Sequence, residues 1–343
     1  MTALLQEIEL RKEELSRYEI RTIYFGGGTP SLLQGDELGR ILDALGRVAC
    51  IVSDVELSLE ANPDDIIRTT VKSWMNIGVN RLSIGIQSFY DEDLRYMNRL
   101  HTGEEALACI RIAQDAGIEN LSGDLIFGYP LLTDVKWQRN IEKMVGERLE
   151  HISCYSMTVE PKTALSHFIK VKKELPMNQE QAGAQYEYLM DRLVIEGFRH
   201  YEISNFAKTG MESKHNSSYW DYVPYVGLGA SAHSFDGVQR SWNVANNAMY
   251  IKRIMSGELP SEAEVLSRTE RINERILVSL RRSEGLVMNN LQLEMLEEEI
   301  QEFKRIVSGF VAEGMLVVDD NRVSFTRNGK LIADYIMSEL FVG

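Results

Sequence analysis

The fold is decided by the stretch Thr22-Ile23-Tyr24-Phe25-Gly26-Gly27-Gly28-Thr29-Pro30. A short β-branched and aromatic run ends in three glycines, which predicts a buried strand whose C-terminal end leads into a loop that a ligand can approach closely. A tight strand-to-helix turn without a ligand would use the same glycines. Four later predicted strands also end in polar or small residues, and this repetition favours a binding site.

The composition is that of an ordinary globular protein. The chain has 343 residues, of which 44% are hydrophobic, so it can bury a large core and favours one large domain with a smaller one. The formal net charge of −14 argues against a nucleic-acid partner, because phosphate binding needs clustered Lys and Arg. No apolar run approaches the roughly 20 residues that span a bilayer, and the N-terminus is charged and amphipathic, so we expect a cytoplasmic protein.

Predicted strands recur at near-regular intervals with a helix between each pair, which is the βαβ pattern of a parallel sheet. A doubly wound sheet and a barrel both fit this pattern. The glycine triplet is not a Gly-x-Gly-x-x-Gly dinucleotide motif, whereas polar groups at several successive strand ends suit a partial barrel, so we favour an α/β partial barrel. The strands after the first are predicted at residues 55–60, 81–86, 121–127 and 151–159, with a sixth candidate at 201–203.

Local signals predict several helix ends. Asn62-Pro63-Asp64-Asp65 is typical of a helix start, with Pro and acids in the first turn. Thr102 with Glu105 predicts a capping box for a helix that ends at Gly117. A further helix is predicted over residues 178–196.

Four polar side chains stand at or just after the predicted strand ends: Glu60, Gln87, Arg99 and Asp124. Each taken alone is a common loop or capping residue. Together they suit a zwitterionic ligand that carries a ribose, because Arg99 can bind a carboxylate while the acids and the amide bind an ammonium group and hydroxyls.

Five motifs at residues 24–31, 60–63, 84–89, 124–130 and 155–161 resemble the oxygen-independent coproporphyrinogen III oxidase group of radical S-adenosylmethionine (SAM) proteins. The resemblance runs in register over nearly the whole chain. It implies a partial (β/α)6 barrel that binds SAM. It also implies the pocket: Gly26, Gly27, Gly28 and Thr29 at the methionyl part, Arg99 at its carboxylate, Glu60, Gln87 and Asp124 along the wall, and Thr158 where the fifth strand approaches SAM.

A second motif indicates the branch of this group. His215-Asn216-x-x-Tyr219-Trp220 is similar to the signature of the HemW heme chaperones, which implies heme binding and transfer to an acceptor protein. An imidazole can ligate iron, so His215 is the candidate metal ligand, while Tyr219 and Trp220 supply flat apolar surface. The alternative is a loop anchored by buried aromatic side chains, in which His215 only makes hydrogen bonds. His233 is a second candidate, in a stretch that also looks like the family.

One motif of the family is missing from the printed sequence. The family carries a Cys-x-x-x-Cys-x-x-Cys loop that holds a [4Fe-4S] cluster, and Met1 stands where the family's first helix begins. We therefore expect a barrel without its first strand, no cluster and no radical chemistry, since Cys50, Cys109 and Cys154 have no metal-ligand spacing. The exposed edge of the Thr22 strand would favour a homodimer.

The pattern changes after Pro260. Predicted helices over residues 264–280 and 287–310, a hairpin over 315–325 that turns at 319–321, and a last helix to Leu340 suggest a small winged-helix-like α+β domain. An acidic run at 294–299 argues against DNA binding by it. The predicted domains are a radical SAM-type partial barrel (1–205), a family-specific segment with the heme motif (206–260) and the C-terminal domain (261–343).

Two functions follow from these patterns. The first is a heme chaperone, for which the discriminating feature is the motif from His215 to Trp220. The second is an oxygen-independent coproporphyrinogen III oxidase that decarboxylates propionates, which would require the missing cysteines. A truncated product that folds poorly is a third alternative.

Overall fold

The structure is a computed structural model, and it describes residues 1–173 and 175–343. The chain divides into two compact units. Unit 1 comprises Met1–Ile23, Gly35–Glu56 and Ser213–Gly343, and unit 2 comprises Tyr24–Gln34 and Leu57–Glu212. The domain boundaries predicted at residues 205 and 260 stay a prediction.

The largest sheet has seven strands in the order β1-β2-β3-β4-β5-β7-β6. They are β1 (Glu19–Phe25), β2 (Cys50–Ala61), β3 (Arg81–Gln87), β4 (Asn120–Phe127), β5 (His151–Ser156), β6 (Arg199–Glu202) and β7 (Asn205–Ala207). From β2 to β5, each strand pairs in parallel with the next along the chain. This parallel-dominated half barrel confirms the predicted α/β fold. The sixth predicted strand exists as β6, but it forms an antiparallel hairpin with β7, which pairs antiparallel with β5.

Helices occupy most of the connections between these strands. They are α1 (Thr2–Leu10), α2 (Lys12–Leu15), α3 (Gly35–Val48), α4 (Arg68–Asn76), α5 (Asp91–Tyr96), α6 (Gly103–Ala116), α7 (Asp134–Gly146), α8 (Ala164–Lys170) and α9 (Gln179–Ile195). The predicted capping box of α6 is confirmed: Thr102 Oγ1 accepts the Glu105 N–H at 3.2 Å, and Glu105 Oε2 accepts the Thr102 N–H at 2.7 Å. Gly117 ends this helix with a φ of 105°.

Two smaller antiparallel sheets follow, in the orders β10-β9-β8 and β11-β13-β12. The elements are α10 (Lys214–Trp220), β8 (His233–Phe235), β9 (Gln239–Asn243), α11 (Asn247–Met255), β10 (Ser261–Val265), α12 (Arg268–Leu280), β11 (Leu286–Val287), α13 (Met288–Gln292), α14 (Glu297–Ala312), β12 (Leu316–Asp319), β13 (Arg322–Phe325), α15 (Arg327–Leu331) and α16 (Ala333–Glu339). The predicted hairpin near the C-terminus is confirmed, since β12 and β13 pair across a turn at residues 320–321. None of the helices among the described residues is long and apolar enough to span a bilayer.

Three predicted boundaries were wrong. The helix start predicted at 62–65 is a single 3-10 turn, Pro63–Asp65, and α4 begins only at Arg68, where the Thr70 hydroxyl caps it by accepting the Ile67 N–H at 3.1 Å. The fifth strand ends at Ser156 rather than 159. Residues 261–265 form β10 and not the start of a helix, because β9 offers them an antiparallel partner; α12 begins at Arg268.

A buried carboxylate network ties α1 to the segment that contains His233. Glu7 is fully buried, and its two oxygens accept hydrogen bonds from the Gly229 N–H at 2.8 Å, Tyr250 Oη at 2.6 Å, Asn243 Nδ2 at 2.7 Å and Arg11 Nε at 3.1 Å. A buried charge with this many donors is compensated. The network therefore holds the backbone of residues 227–234 within unit 1.

Candidate functional site

The glycine loop at the end of β1 lies in unit 2, and its conformation depends on its three glycines. A Cβ on Gly26 would lie 2.4 Å from Tyr24 Cε1 and 2.9 Å from Glu60 Oε1, so only glycine fits there. Gly27 and Gly28 have φ values of 72° and 80°, in the left-handed region, and a Cβ on either would meet no atom within 4 Å. The loop thus leaves backbone that a ligand can approach closely.

Glu60 shapes this loop. Its Oε1 accepts a hydrogen bond from Tyr24 Oη at 2.7 Å, and its Oε2 accepts the Gly27 N–H at 3.2 Å. Burial, together with the negative charge of Glu60, raises the pKa of the Tyr24 phenol well above its ordinary value. Tyr24 therefore stays a hydrogen-bond donor, and it holds the carboxylate in place.

Asp124 lies inside β4, which continues to Phe127 as the sequence predicted, rather than at the strand end. Its carboxylate is within 3.3 Å of Ser83 Oγ through both oxygens, and Ser122 Oγ lies 3.4 Å from Oδ1. Burial raises the pKa of Asp124 to about 6, and the charge of Glu60 acts in the same direction, while the serine hydroxyls oppose it. A carboxyl group with a pKa in this range is typical of a functional site.

Gln87 and Arg99 converge on the backbone of β3. A Cβ on Gly85 would lie 2.7 Å from Arg99 Nη2 and 3.0 Å from Gln87 Nε2. Arg99 Nη2 donates to the Gly85 carbonyl and to Asn62 Oδ1, both at 3.1 Å, and among the described residues Arg99 forms no ion pair. Both of these hydrogen-bond acceptors are neutral groups.

Two other predicted site residues, Thr29 and Thr158, make fewer contacts. Thr29 is partly buried and precedes the 3-10 turn Pro30–Leu32, which places it beside the glycines. Thr158 is exposed beyond the end of β5, and its hydroxyl contacts Glu160, two residues further on, at 3.5 Å. Because β5 stops at Ser156, Thr158 belongs to an irregular segment rather than to the strand that the sequence predicted.

The thiols in the described part of the chain do not fit a [4Fe-4S] cluster. Burial raises the pKa of Cys109 to about 12 and that of Cys154 well above its ordinary value, so both stay protonated, whereas iron–sulfur ligation needs thiolates. Cys50 is exposed. Within residues 1–173 and 175–343, no group of three His, Cys, Asp or Glu side chains is placed to hold a metal ion.

The heme motif belongs to unit 1 and forms the helix α10, not the loop considered from the sequence. Glu56 of β2 is 5% exposed, and its two carboxylate oxygens accept the N–H groups of Lys214 and His215, both at 2.9 Å. Ser213 caps the same helix by accepting the Asn216 N–H at 3.2 Å. These contacts satisfy the backbone donors at the start of α10 and hold it on β2.

Both ring nitrogens of His215 have partners. Nδ1 lies 2.8 Å from Thr22 Oγ1, and Nε2 lies 2.9 Å from Tyr219 Oη. Burial lowers the pKa of His215 to about 4 against the opposing charge of Glu56, so the imidazole is neutral at pH 7. Neutral imidazole is the form that ligates metals, and a hydrogen bond to its second nitrogen fixes the ring as in protein metal sites.

The neighbouring aromatic side chains differ in what they offer a ligand. Tyr219 is 37% exposed, and its ring packs edge-on against Tyr225, 4.8 Å away. Trp220 is partly buried beneath the guanidinium of Arg281. His233, the second candidate, is exposed, and its ring centroid lies 6.2 Å from that of Trp242.

Sequence reasoning missed two residues that hold His215. Glu56 stood at a position that looked solvent-facing in an alternating strand, and Thr22 looked like an ordinary β-branched strand residue. Residues 56–59 are all buried, which would have indicated that Glu56 does not face solvent. This burial depends on the elements that cover the strand, so the sequence alone does not show it.

Comparison with known proteins agrees with these observations. Residues 3–144 match the family model of the Radical SAM superfamily. The heme chaperone HemW of Bacillus subtilis is 34% identical over 98% of this chain and 89% of its own length, and that of Lactococcus lactis is 32% identical over 94% and 86%. The chain belongs to the HemW family of heme chaperones.

The HemW family shares its fold with an enzyme of known structure. The chain superimposes on coproporphyrinogen III oxidase (HemN) from Escherichia coli, a radical SAM enzyme, with a TM-score of 0.84. The match covers 99% of this chain and 82% of that protein at 21% identity. At this identity the likeness establishes the fold alone.

Glu56→Ala tests the support of α10 in this HemW family member. The N–H groups of Lys214 and His215 lose their acceptor, so their amide exchange measured by mass spectrometry accelerates, and the free energy of unfolding falls by about 2 kcal/mol. Asp54→Ala is the matched control, because Asp54 makes only an exposed ion pair with Lys214 Nζ at 3.8 Å and its loss changes stability by about 0.5 kcal/mol or less. Unchanged exchange in Glu56→Ala would contradict the assignment.

Asp124→Asn tests the cost of the buried carboxylate. The folded-state pKa of about 6 lies above the unfolded value. The contribution of Asp124 to the free energy of unfolding is therefore fully present below about pH 4 and is lost as the pH rises through 6. The variant is therefore more stable than the parent by about 2 kcal/mol at pH 7.5, and the difference disappears near pH 4. Denaturant unfolding across this range measures it. The exposed Asp115→Asn serves as control, and a difference that does not change with pH would contradict the assigned cause.

Proposed function

We propose that this chain is a heme chaperone that binds heme through His215 and passes it to an acceptor protein. The observation that supports this most directly is the state of the His215 imidazole, which is neutral and held at Nδ1 by Thr22. When Nδ1–H donates to Thr22 Oγ1, the lone pair of Nε2 points towards Tyr219 and is the one that can ligate iron.

Tyr219 makes this ligation reversible. With Nδ1 of His215 protonated, the Tyr219 hydroxyl donates to Nε2, so the iron of heme must displace it, and the hydroxyl can return when heme leaves. The competing hydrogen bond is worth about 1 kcal/mol, which lowers heme affinity modestly. Since Tyr219 is 37% exposed, its ring has room to turn away. A chaperone that must release its cargo benefits from such competition.

We further propose that unit 2 binds SAM through the residues that the family resemblance indicates. The unpaired guanidinium of Arg99 suits the SAM carboxylate, and the open backbone of Gly27 and Gly28 suits its methionyl chain, with Gly26 and Thr29 on either side. Glu60, Gln87 and Asp124 suit the ammonium group and the ribose hydroxyls, and Thr158 completes the proposed set. SAM supplies an adenosyl radical only when a cluster reduces it. Because the described thiols do not fit a cluster, the proposal for unit 2 is limited to the binding of SAM.

The remaining proposals concern the cellular location and the partners of the protein. We propose that the protein acts in the cytoplasm, that its acceptor is a heme-binding protein of unspecified identity, and that two copies associate through β1, which is an edge strand of the seven-stranded sheet. The alternative oxidase function has only the shared fold in its favour.

His215→Ala tests the heme ligand. Loss of the imidazole weakens heme binding by roughly tenfold or more, because the iron loses its protein ligand, and the saturable Soret band seen on titration disappears or shifts. His233→Ala is the control and keeps the parent's affinity. Equal affinity of His215→Ala and the parent, with both proteins folded by thermal melting, would contradict the proposed ligand.

Tyr219→Phe tests the competition for Nε2. The variant keeps the ring but loses the hydroxyl, so heme affinity rises by about two- to tenfold and heme transfer to apomyoglobin slows. Stopped-flow absorption measures the transfer. A decrease in affinity would instead mean that the Tyr219 hydroxyl contacts the bound heme.

A further inference from the structure

Arg281 is held over the indole ring of Trp220. Arg281 follows the last residue of α12, and its Cζ lies 5.2 Å from the centroid of the Trp220 ring, which is within the range of a cation–π contact. The sequence predicted that Trp220 would offer flat apolar surface to a porphyrin. In the structure Arg281 lies against that surface, so the indole orients a guanidinium.

The donors of this pair lack acceptors. Nε of Arg281 and Nε1 of Trp220 are both buried, and neither has a hydrogen-bond partner among the described residues. The carboxylate nearest to Arg281 belongs to Asp334, whose side chain is 92% exposed and lies 3.8 Å from Nη1. Buried donors without acceptors are rare in folded proteins because each costs free energy. A ligand that supplies acceptors would satisfy them.

Other arginines of α12 and its C-terminal end are already paired. Arg275 lies over the ring of Tyr222 at 5.7 Å, in the same way as Arg281 over Trp220, but its Nη1 is 2.6 Å from Glu294. Arg282 pairs with Asp221. Arg281 is thus the arginine of this group whose charge is not taken up by a close carboxylate.

We infer that Arg281, positioned by Trp220, binds a carboxylate of the cargo, which for heme is a propionate. This inference rests on the proposed heme binding at His215. Trp220 follows His215 by five residues in α10, about 7.5 Å along the helix axis and about 140° around it. The propionates stand at the porphyrin rim, several bonds from the iron, so a porphyrin bound at His215 would extend across the C-terminal end of α10 to bring a propionate to Arg281. A guanidinium matches a carboxylate with two parallel hydrogen bonds, so Arg281 distinguishes a porphyrin with free acids from one without.

The test compares hemin with hemin dimethyl ester, in which both propionates are uncharged. The full chain and its variants are titrated with each compound at pH 7.5 and followed at the Soret band. The parent binds hemin about tenfold more tightly than the ester, and Arg281→Met reduces this preference to about twofold or less. Arg275→Met is the matched control and keeps the preference. Trp220→Leu loses it like Arg281→Met, because Arg281 is no longer oriented.

The outcomes distinguish the role of Arg281 from the role of His215 as the heme ligand. Equal binding of hemin and ester by the parent, or an unchanged preference in a folded Arg281→Met, overturns the role of Arg281 and leaves the His215 ligand standing. A loss of binding to both compounds in His215→Ala, with the preference lost in Arg281→Met and Trp220→Leu but kept in Arg275→Met, supports both. The absence of any saturable Soret band in the parent overturns the proposed function and the inference together.

Discussion

The two hydrogen bonds that Glu56 accepts from Lys214 and His215 are the constraint on which the heme motif depends. A seven-residue helix such as α10 is marginal alone, because nucleation costs more than so few hydrogen bonds return. A carboxylate at its N-terminus satisfies two backbone donors and interacts favourably with the helix dipole. The partners are separated by 158 and 159 residues, so the motif acquires its geometry only when β2 is in place.

Desolvation shifts the pKa in opposite directions at the two candidate sites. In unit 1 it lowers the pKa of His215 and so keeps the imidazole neutral at pH 7. In unit 2 it raises the pKa of Asp124, so the ionised carboxylate costs stability at neutral pH. Both ring nitrogens of His215 have hydrogen-bond partners, whereas the ionised Asp124 carboxylate is destabilised by its burial. A carboxylate buried at such a cost is typical of a functional site.

The fold was largely predictable because its signals are local. Glycines at the end of β1, the capping box at Thr102 and the turn after β12 each depend on a few adjacent residues. What the sequence could not predict depends on distant partners. The helix predicted from Glu264 begins only at Arg268, because residues 261–265 pair with β9, and Thr22 gained its role from His215, 193 residues away.

The residues of the candidate site also fall into those that local motifs indicate and those whose role depends on distant partners. The quoted motifs pointed to Glu60 and His215, and the family resemblance pointed to Arg99 as the matching arginine; these three assignments stay predictions. The clamp by Glu56 and the placement of Arg281 over Trp220 follow from packing, which spacing does not encode. Trp220 shows the limit most clearly, because the motif marked the residue while its neighbour Arg281 determines what it contributes.

The most direct test of the heme ligand is pulsed electron paramagnetic resonance of the ferric heme complex, prepared with ¹⁵N-labelled histidine. Coordination by His215 predicts a hyperfine coupling from an axial imidazole nitrogen that changes with the isotope and is lost in His215→Ala. A spectrum that is insensitive to the label, or that persists unchanged in the variant, would contradict the account.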